Sequence, residues 1–344
     1  MEKLIKNRFL VEQKLGEGPY RLTYKAKDTV TGNPLVVKVF RRSPSAERKL
    51  DGILGKMRTL QGMHHPVLPR YEEGDFGWQG FYTIREYVVG ESLKEKMARG
   101  ERLAETQILH WTAQLSEVLE LVHERGILHG AIHLSNVFVR KDGSPKLVDF
   151  VVDPMLCEGT GHRVKMIERD PHFLSPEEIL GEPPSPVSDI YRMGVLLYRL
   201  WTGRYPFENG SAYHVALSVL RRTPLPPSEV NAQVPATASQ AILRALSQHP
   251  EDRFIRVADF AAALQTGVSS RTRVALDLPP ETEGLLQQLA KTEVRDRKNL
   301  PTMKKVPSHV SHAGNFRIQK VIWVVFSAAV ALGAAYFFYR FILV

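Results

Sequence analysis

Cysteine is nearly absent: Cys157 is the one thiol in 344 residues. A lone thiol excludes an intramolecular disulfide framework and any Cys-rich metal site. It reads as an inert side chain, with redox sensing as the sharper alternative. The opening stretch MEKLIKNRFLVEQKLG lacks an uncharged apolar run, which excludes a secretory signal peptide at this position. The 12 histidines, including the pair His64-His65, lack metal-ligand spacing and read as structural. No internal repeat is present. What is there in quantity is ordinary for a chain that buries a core: 43% hydrophobic and 24% charged residues. The length allows one large domain or two small ones with appendages.

The formal net charge is +9, and its location decides its meaning. Residues 291–320 hold eight Lys/Arg against two acids with no apolar period, so 267–320 reads as a basic flexible juxtamembrane linker, with a short helix in LDLPPETEGLL. Val321 to Tyr339, VIWVVFSAAVALGAAYFFY, is 19 residues without a charge. At about 1.5 Å per residue it spans a hydrocarbon core. Trp323, Tyr336 and Tyr339 stand where interfacial aromatics belong. A transmembrane helix is predicted over 321–340, with a short extracytoplasmic tail at 341–344. Lys304, Lys305, Arg317 and Lys320 precede the span and Arg340 follows it, so the positive-inside rule places the large N-terminal part in the cytoplasm. The basic linker then faces anionic lipid, and the charge calls for no nucleic acid.

The rest divides in two. Residues 1–87 are β-rich: FLVEQKLGEG, LTYKAKD, PLVVKVF and FYTIREYVV are short strand-like runs bounded by turn residues. Between them, Glu47 to Met63 has helical spacing at Leu50, Ile53, Leu54, Met57 and Leu60. Residues 88–266 are mostly helical. One amphipathic helix ends at Gly126, and another starts at a Ser188 N-cap and ends at Gly203. ATASQAILRALSQHP and RVADFAAALQTG supply two more. Lys141-Asp142-Gly143 reads as a hairpin turn. Pro224, Pro226 and Pro227 read as a loop, with an SH3-type ligand as the alternative.

The stretch LHGAIHLSNVFV, Leu128 to Val139, carries a resemblance. With GEGPY, LVVKVF, LVDF, SPEE and HPEDRF in order, the chain resembles a Ser/Thr protein kinase domain over about residues 9–266, in phrasing similar to the bacterial membrane-bound branch. The resemblance implies an α+β, protein-kinase-like two-lobe fold with a β-rich N-lobe and a helical C-lobe, here joined to the C-terminal transmembrane helix. It implies ATP and Mg²⁺ as cofactors. Gly16 and Gly18 match the phosphate loop, Lys38 the strand lysine, and Glu86 and Tyr87 the hinge beside adenine. Asn136 and Asp149 match the two Mg²⁺ ligands. His129 and Phe150 match two members of an internal hydrophobic spine, with Leu60 a third. Asp189 matches the anchor of the catalytic loop, and Glu177 with Arg253 a buried stapling pair.

The chemical positions depart from that pattern. Ala131 replaces the catalytic-loop aspartate, His133 the lysine two residues on, and Asp170 the threonine that usually contacts both. Gly130 replaces the arginine that clamps a phosphorylated loop, which leaves Thr160 as ordinary loop rather than a switch. The third glycine is Arg21, and Pro19 removes a backbone donor. Thr23 replaces the valine above the adenine, and Val36, Phe138 and Arg85 (at the gatekeeper position) fill the nucleotide pocket. Lys56 stands where the helix glutamate should pair with Lys38, with Glu47 as a substitute if the helix shifts. ATP and Mg²⁺ binding is therefore expected to be weak or absent. The favoured reading is a membrane-anchored pseudokinase, a scaffold or allosteric regulator for cytoplasmic signalling proteins. The second reading is an active unconventional Ser/Thr kinase in which His133 or Asp170 replaces the base. A third is a nucleotide sensor without turnover.

Overall fold

A computed structural model describes residues 3–18, 21–41, 50–77, 80–150, 170–208 and 210–266, all within one compact unit, Met1–Leu276. Pro19, Glu47, Cys157, Thr160, the expected linker and the expected membrane span lie outside the described residues. Among the described residues no helix is long and apolar enough to cross a membrane.

Six strands form one antiparallel sheet: β1 (Lys3–Ile5), β2 (Phe9–Glu17), β3 (Arg21–Asp28), β4 (Pro34–Arg41), β5 (Tyr71–Gly77) and β6 (Gly80–Glu86), in the order β1-β2-β3-β4-β6-β5. Period-two alternation in β4 decides which side chains meet. Leu35, Val37 and Val39 enter a small core with Phe9, Ala26, Tyr82 and Ile84. Val36, Lys38 and Phe40 therefore take the opposite face. On β6, Arg85 pairs opposite Val36 and Thr83 opposite Lys38. Lys38 and Arg85 are thus diagonal neighbours on one face, within reach for long side chains.

Helix α1 (Leu50–Gln61) covers that sheet beside β5. Ile53, Met57 and Leu60, spaced at i, i+4 and i+7, are buried. Gly74 in β5 allows the close approach: a Cβ there would lie 2.7 Å from Met57 Cε and 2.8 Å from its Cγ.

The second lobe opens with β7 (Gly90–Ser92), β8 (Val137–Arg140) and β9 (Pro145–Leu147), in the order β7-β8-β9. The β8–β9 turn holds Gly143 at φ 81°, as Lys141-Asp142-Gly143 predicts. Ser92 caps α2 (Leu93–Ala98) in a capping box with Glu95. The longer helices are α3 (Glu105–His123), α5 (Pro186–Thr202), α6 (Ala212–Arg221), α8 (Ala236–Ala245) and α9 (Val257–Thr266), with the short turns α4 (Pro176–Ile179) and α7 (Pro227–Val230) between them. Gly126, just past α3, has φ 67°. Gly203 ends α5 in the left-handed region, φ 73°.

The start of α5 corrects the expected cap. Ser185, not Ser188, is the N-cap, because Pro186 supplies the fixed φ of a first helical residue. Ser188 sits one turn inside and donates from its hydroxyl to Glu177 Oε1 at 2.6 Å. Helix α5 is buried on nearly every side, so its polar residues serve internal networks. Gly194 lets it approach α8, where a Cβ would meet that of Ala245 at 3.0 Å. Glu177 and Arg253 pair through two bonds of 2.8 and 2.9 Å, as the resemblance implies.

Candidate functional site

Asp189, at the first turn of α5, organises the catalytic-loop segment. Its carboxylate accepts from the backbone N–H groups of His129 (2.8 Å) and Gly130 (2.9 Å), and also meets His123 Nε2 at 3.0 Å and Arg192 at 3.2 Å. Burial works against its charge, but these partners hold its pKa down at about 2. Gly130 has φ 67°, a conformation that suits glycine. The His129 ring lies 4.5 Å from that of Phe150, as expected of two spine members. Its Nδ1 accepts from Ala131 N–H at 3.1 Å, so in the neutral ring Nε2 carries the hydrogen that Val148 O accepts at 3.0 Å. Burial lowers its pKa to about 4, which keeps it neutral.

Ala131 itself offers only a methyl group and its backbone; its carbonyl accepts from Asn136 Nδ2 at 2.8 Å. His133 starts the short 3₁₀ turn Leu134–Asn136, its Nδ1 accepting from Ser135 N–H at 3.3 Å. Burial pushes its pKa down to about 4. The ring is therefore neutral near pH 7 with its hydrogen on Nε2, a donor to an anion rather than a base. Asp170 caps the turn Pro171–Phe173 and accepts from His172 N–H at 3.2 Å and Nδ1 at 2.6 Å. Burial opposes its charge, but the His172 bonds and His133 nearby lower its pKa, so it stays ionised. The His172 ring stacks on Tyr205 at 4.0 Å. Burial and the Asp170 carboxylate push the Tyr205 phenol up to about 12.

A second cluster forms where the lobes meet. Asp149 has φ 76°, and its carboxylate binds Lys38 Nζ through Oδ2 and faces Arg85 Nε through Oδ1 at 3.4 Å. All three side chains are buried. Burial would raise the Asp149 pKa, but Lys38 and Arg85 outweigh it and hold the carboxyl well below the usual range. Burial, with Arg21 and Arg85 as cationic neighbours, outweighs the pull of Asp149 and brings Lys38 down to about 8. Arg85 Nη1 also donates to the Glu86 carbonyl at 3.0 Å. Sequence reasoning placed Arg85 at the pocket but missed this pairing, which follows from the β4–β6 register and not from any local spacing.

The remaining expected residues fall as follows. Gly16 pairs with Thr23 beside a bulge in β2, and Gly18 N–H donates to Arg21 O at 2.8 Å. Glu86 binds Lys146 at 2.5 Å, and Tyr87 N–H donates to Pro34 O at 3.2 Å. Val36 is buried, while Thr23 and Phe138 are half-buried. Lys56 is half-buried on α1, and the cations that act most strongly on Lys38 are Arg21 and Arg85.

Asn136 and Asp149 are the two residues that the resemblance assigns to a divalent metal, and their donor chemistry decides whether they fit one. Both Asp149 oxygens face cations, whereas Asn136 donates its amide N–H₂ to Ala131 O and keeps one free oxygen, Oδ1. A hard cation needs several free oxygen donors, so these two residues, as arranged, do not fit one. Among the described residues no group of three or more His, Cys, Asp or Glu could hold a metal.

A β-rich lobe, a helical lobe, a buried pair of a strand lysine with a loop aspartate, and a buried helix aspartate under the loop define a kinase-like protein. The family described as Protein kinase domain matches residues 9–307, and the chain belongs to that family. A probable serine/threonine-protein kinase of Clostridium acetobutylicum is 27% identical over 253 residues, 73% of this chain and 38% of the relative. Serine/threonine-protein kinase PrkC of Bacillus subtilis is 26% identical over 266 residues, 77% of this chain and 41% of the relative. The chain thus spans less than half the length of these relatives. A crystal structure of Rad53 1-466 in complex with AMP-PNP superposes with a TM-score of 0.60 at 22% identity, covering 74% of this chain and 63% of that one. At that identity the likeness shows the fold alone.

Proposed function

We propose that this protein is a membrane-anchored pseudokinase that offers a folded kinase surface to cytoplasmic signalling partners as a scaffold or allosteric regulator. The carrying observation is paired. Ala131 supplies no proton acceptor where the family pattern has its base, and Asp149 is held by Lys38 and Arg85. Loss of a general base alone costs about 10²- to 10⁴-fold in rate. The supports of the fold, Asp189 and the Glu177–Arg253 pair, are meanwhile intact. Residues 321–340 would anchor the chain, with the kinase-like domain cytoplasmic and residues 267–320 lying against anionic lipid.

One observation favours the second reading, an active kinase. Asp170 is ionised and lies near His133, so a carboxylate is present on the loop side of the site. Of the two substitutes, Asp170 suits the role of base, and His133 suits that of a donor to the transferring phosphate.

The test is phosphoryl transfer by the full chain with γ-labelled ATP and Mg²⁺, beside Asp149→Ala. Labelling indistinguishable from the variant is expected. Transfer that Asp149→Ala abolishes overturns the pseudokinase reading.

A further inference from the structure

We infer that the cluster of Arg21, Lys38 and Arg85 around Asp149 is a binding site for an oligophosphate chain that needs no divalent metal, with the Arg85 guanidinium standing where a metal's charge would act. The inference concerns the same pocket as the proposed function, but it is about binding and not about transfer.

Charge carries the argument. Two nine-tenths-buried cations, Lys38 and Arg85, share the single carboxylate of Asp149. Arg21, two residues before the Thr23 that pairs opposite Lys38, is diagonal to Lys38 on the same face of the sheet and adds a third cation. A buried excess of positive charge is costly unless an anion joins it. A metal-dependent site has the opposite balance: its carboxylate waits for a cation. Here a divalent ion would have to displace an ammonium and a guanidinium, whereas a phosphate anion would complete the set.

Geometry narrows the ligand. The Arg85–Asp149 contact, 3.4 Å, is long for a charge-assisted bond, which normally closes to about 2.7–2.9 Å. The guanidinium is therefore not fully used by Asp149. Nε and Nη1 are engaged, and Nη2 has no hydrogen-bond partner among the described residues. A planar fork with an open edge beside an ammonium suits phosphate oxygens. Nη1, however, takes the Glu86 carbonyl at the hinge, and Val36 is buried on the strand opposite. Those two features work against a purine ring between the hinge and Asp149. The recognised group is the phosphate chain, not a base.

The probe is inorganic tripolyphosphate with the purified full chain in EDTA, read by calorimetry and by Tm. Tripolyphosphate is expected to bind and raise Tm without metal, and excess Mg²⁺ to weaken binding by competing for the phosphate. ATP should bind no more tightly than tripolyphosphate. Arg85→Leu and Lys38→Met should each weaken binding about tenfold or more. Arg85→Lys, which keeps the charge but not the fork, should lie between; it also serves if Arg85→Leu does not fold. No binding in EDTA, or binding only with Mg²⁺, overturns the inference. So does binding that Arg85→Leu and Lys38→Met leave unchanged, which would place the anion on the basic segment 291–320. Phosphoryl transfer, if seen, would overturn the pseudokinase reading and leave the metal-free binding result standing or falling by itself.

Discussion

The Asp189 carboxylate and the Gly130 backbone meet at 2.9 Å across 59 residues of sequence, so the first turn of a buried helix holds the loop on which Ala131 sits. The fold spends a fully buried charge to fix a segment that carries no base.

That relationship sets a stability prediction. Asp189→Ala removes the acceptor for two backbone N–H groups and strips Arg192 of one of its two carboxylate partners. Breaking a buried ionic set by one member costs about 3–5 kcal/mol. Urea unfolding should show a loss of that size, with Asp189→Asn losing less because its amide oxygen still accepts.

A second prediction concerns packing in the β-rich lobe. Gly74→Ala drives a methyl group against Met57 near the stem of its side chain. Overpacking of this kind costs about 1–3 kcal/mol. In a Met57→Ala background the collision is gone, so Gly74→Ala should cost markedly less there. A double-mutant cycle with no coupling would show that the helix shifts freely.

These two cases show what the sequence made legible. Asp189, Glu177 and Arg253 stand in short motifs, and their partners follow from the order of those motifs. Lys38 could be placed on a strand because PLVVKVF is a short β-rich run bounded by turn residues. The strand β5, YEEGDFG, gave no such pattern: Gly74 follows the close approach of α1, and Glu73 and Asp75 pair with Lys6 from the turn after β1, both tertiary demands. Ser188 was misread as a cap because a serine before an apolar run looks like one, while Pro186 had already started the helix. The Arg85–Asp149 contact was illegible for a different reason. It depends on the register between β4 and β6, which no local spacing records.

Acid should unfold the domain in two overlapping windows. His129 and His133 have pKa values lowered from 6.5 to about 4 by burial. A depressed histidine contributes stability that is full above pH 6.5 and lost as pH falls towards 4. Glu177 and Asp189, held at about 2 by their cationic and hydrogen-bonding partners, lose theirs from about pH 4.5 down to 2. A shift the size of that at His129 corresponds to a loss on the order of 3 kcal/mol. Urea midpoints at pH 7, 5 and 3 should fall at each step; a midpoint flat from pH 7 to 5 would mean that the two histidines ionise freely in the folded state.

Restoring the base tests whether the site fails at one point or two. Ala131→Asp returns a carboxylate to the loop and, if the base were the only defect, should recover part of the roughly 10²- to 10⁴-fold that such a group supplies. Asp149 argues otherwise. Its oxygens still face Lys38 and Arg85, so a metal-bound triphosphate would have to break that pairing first. Ala131→Asp alone should therefore label a protein substrate no better than the parent chain. Ala131→Asp with Arg85→Leu frees one Asp149 oxygen and the Glu86 carbonyl together, and should give transfer that depends on Mg²⁺. The measurement is incorporation from γ-labelled ATP by the three chains side by side. Full recovery in the single variant would mean that Arg85 yields to nucleotide at little cost, and that position 131 alone silences the site.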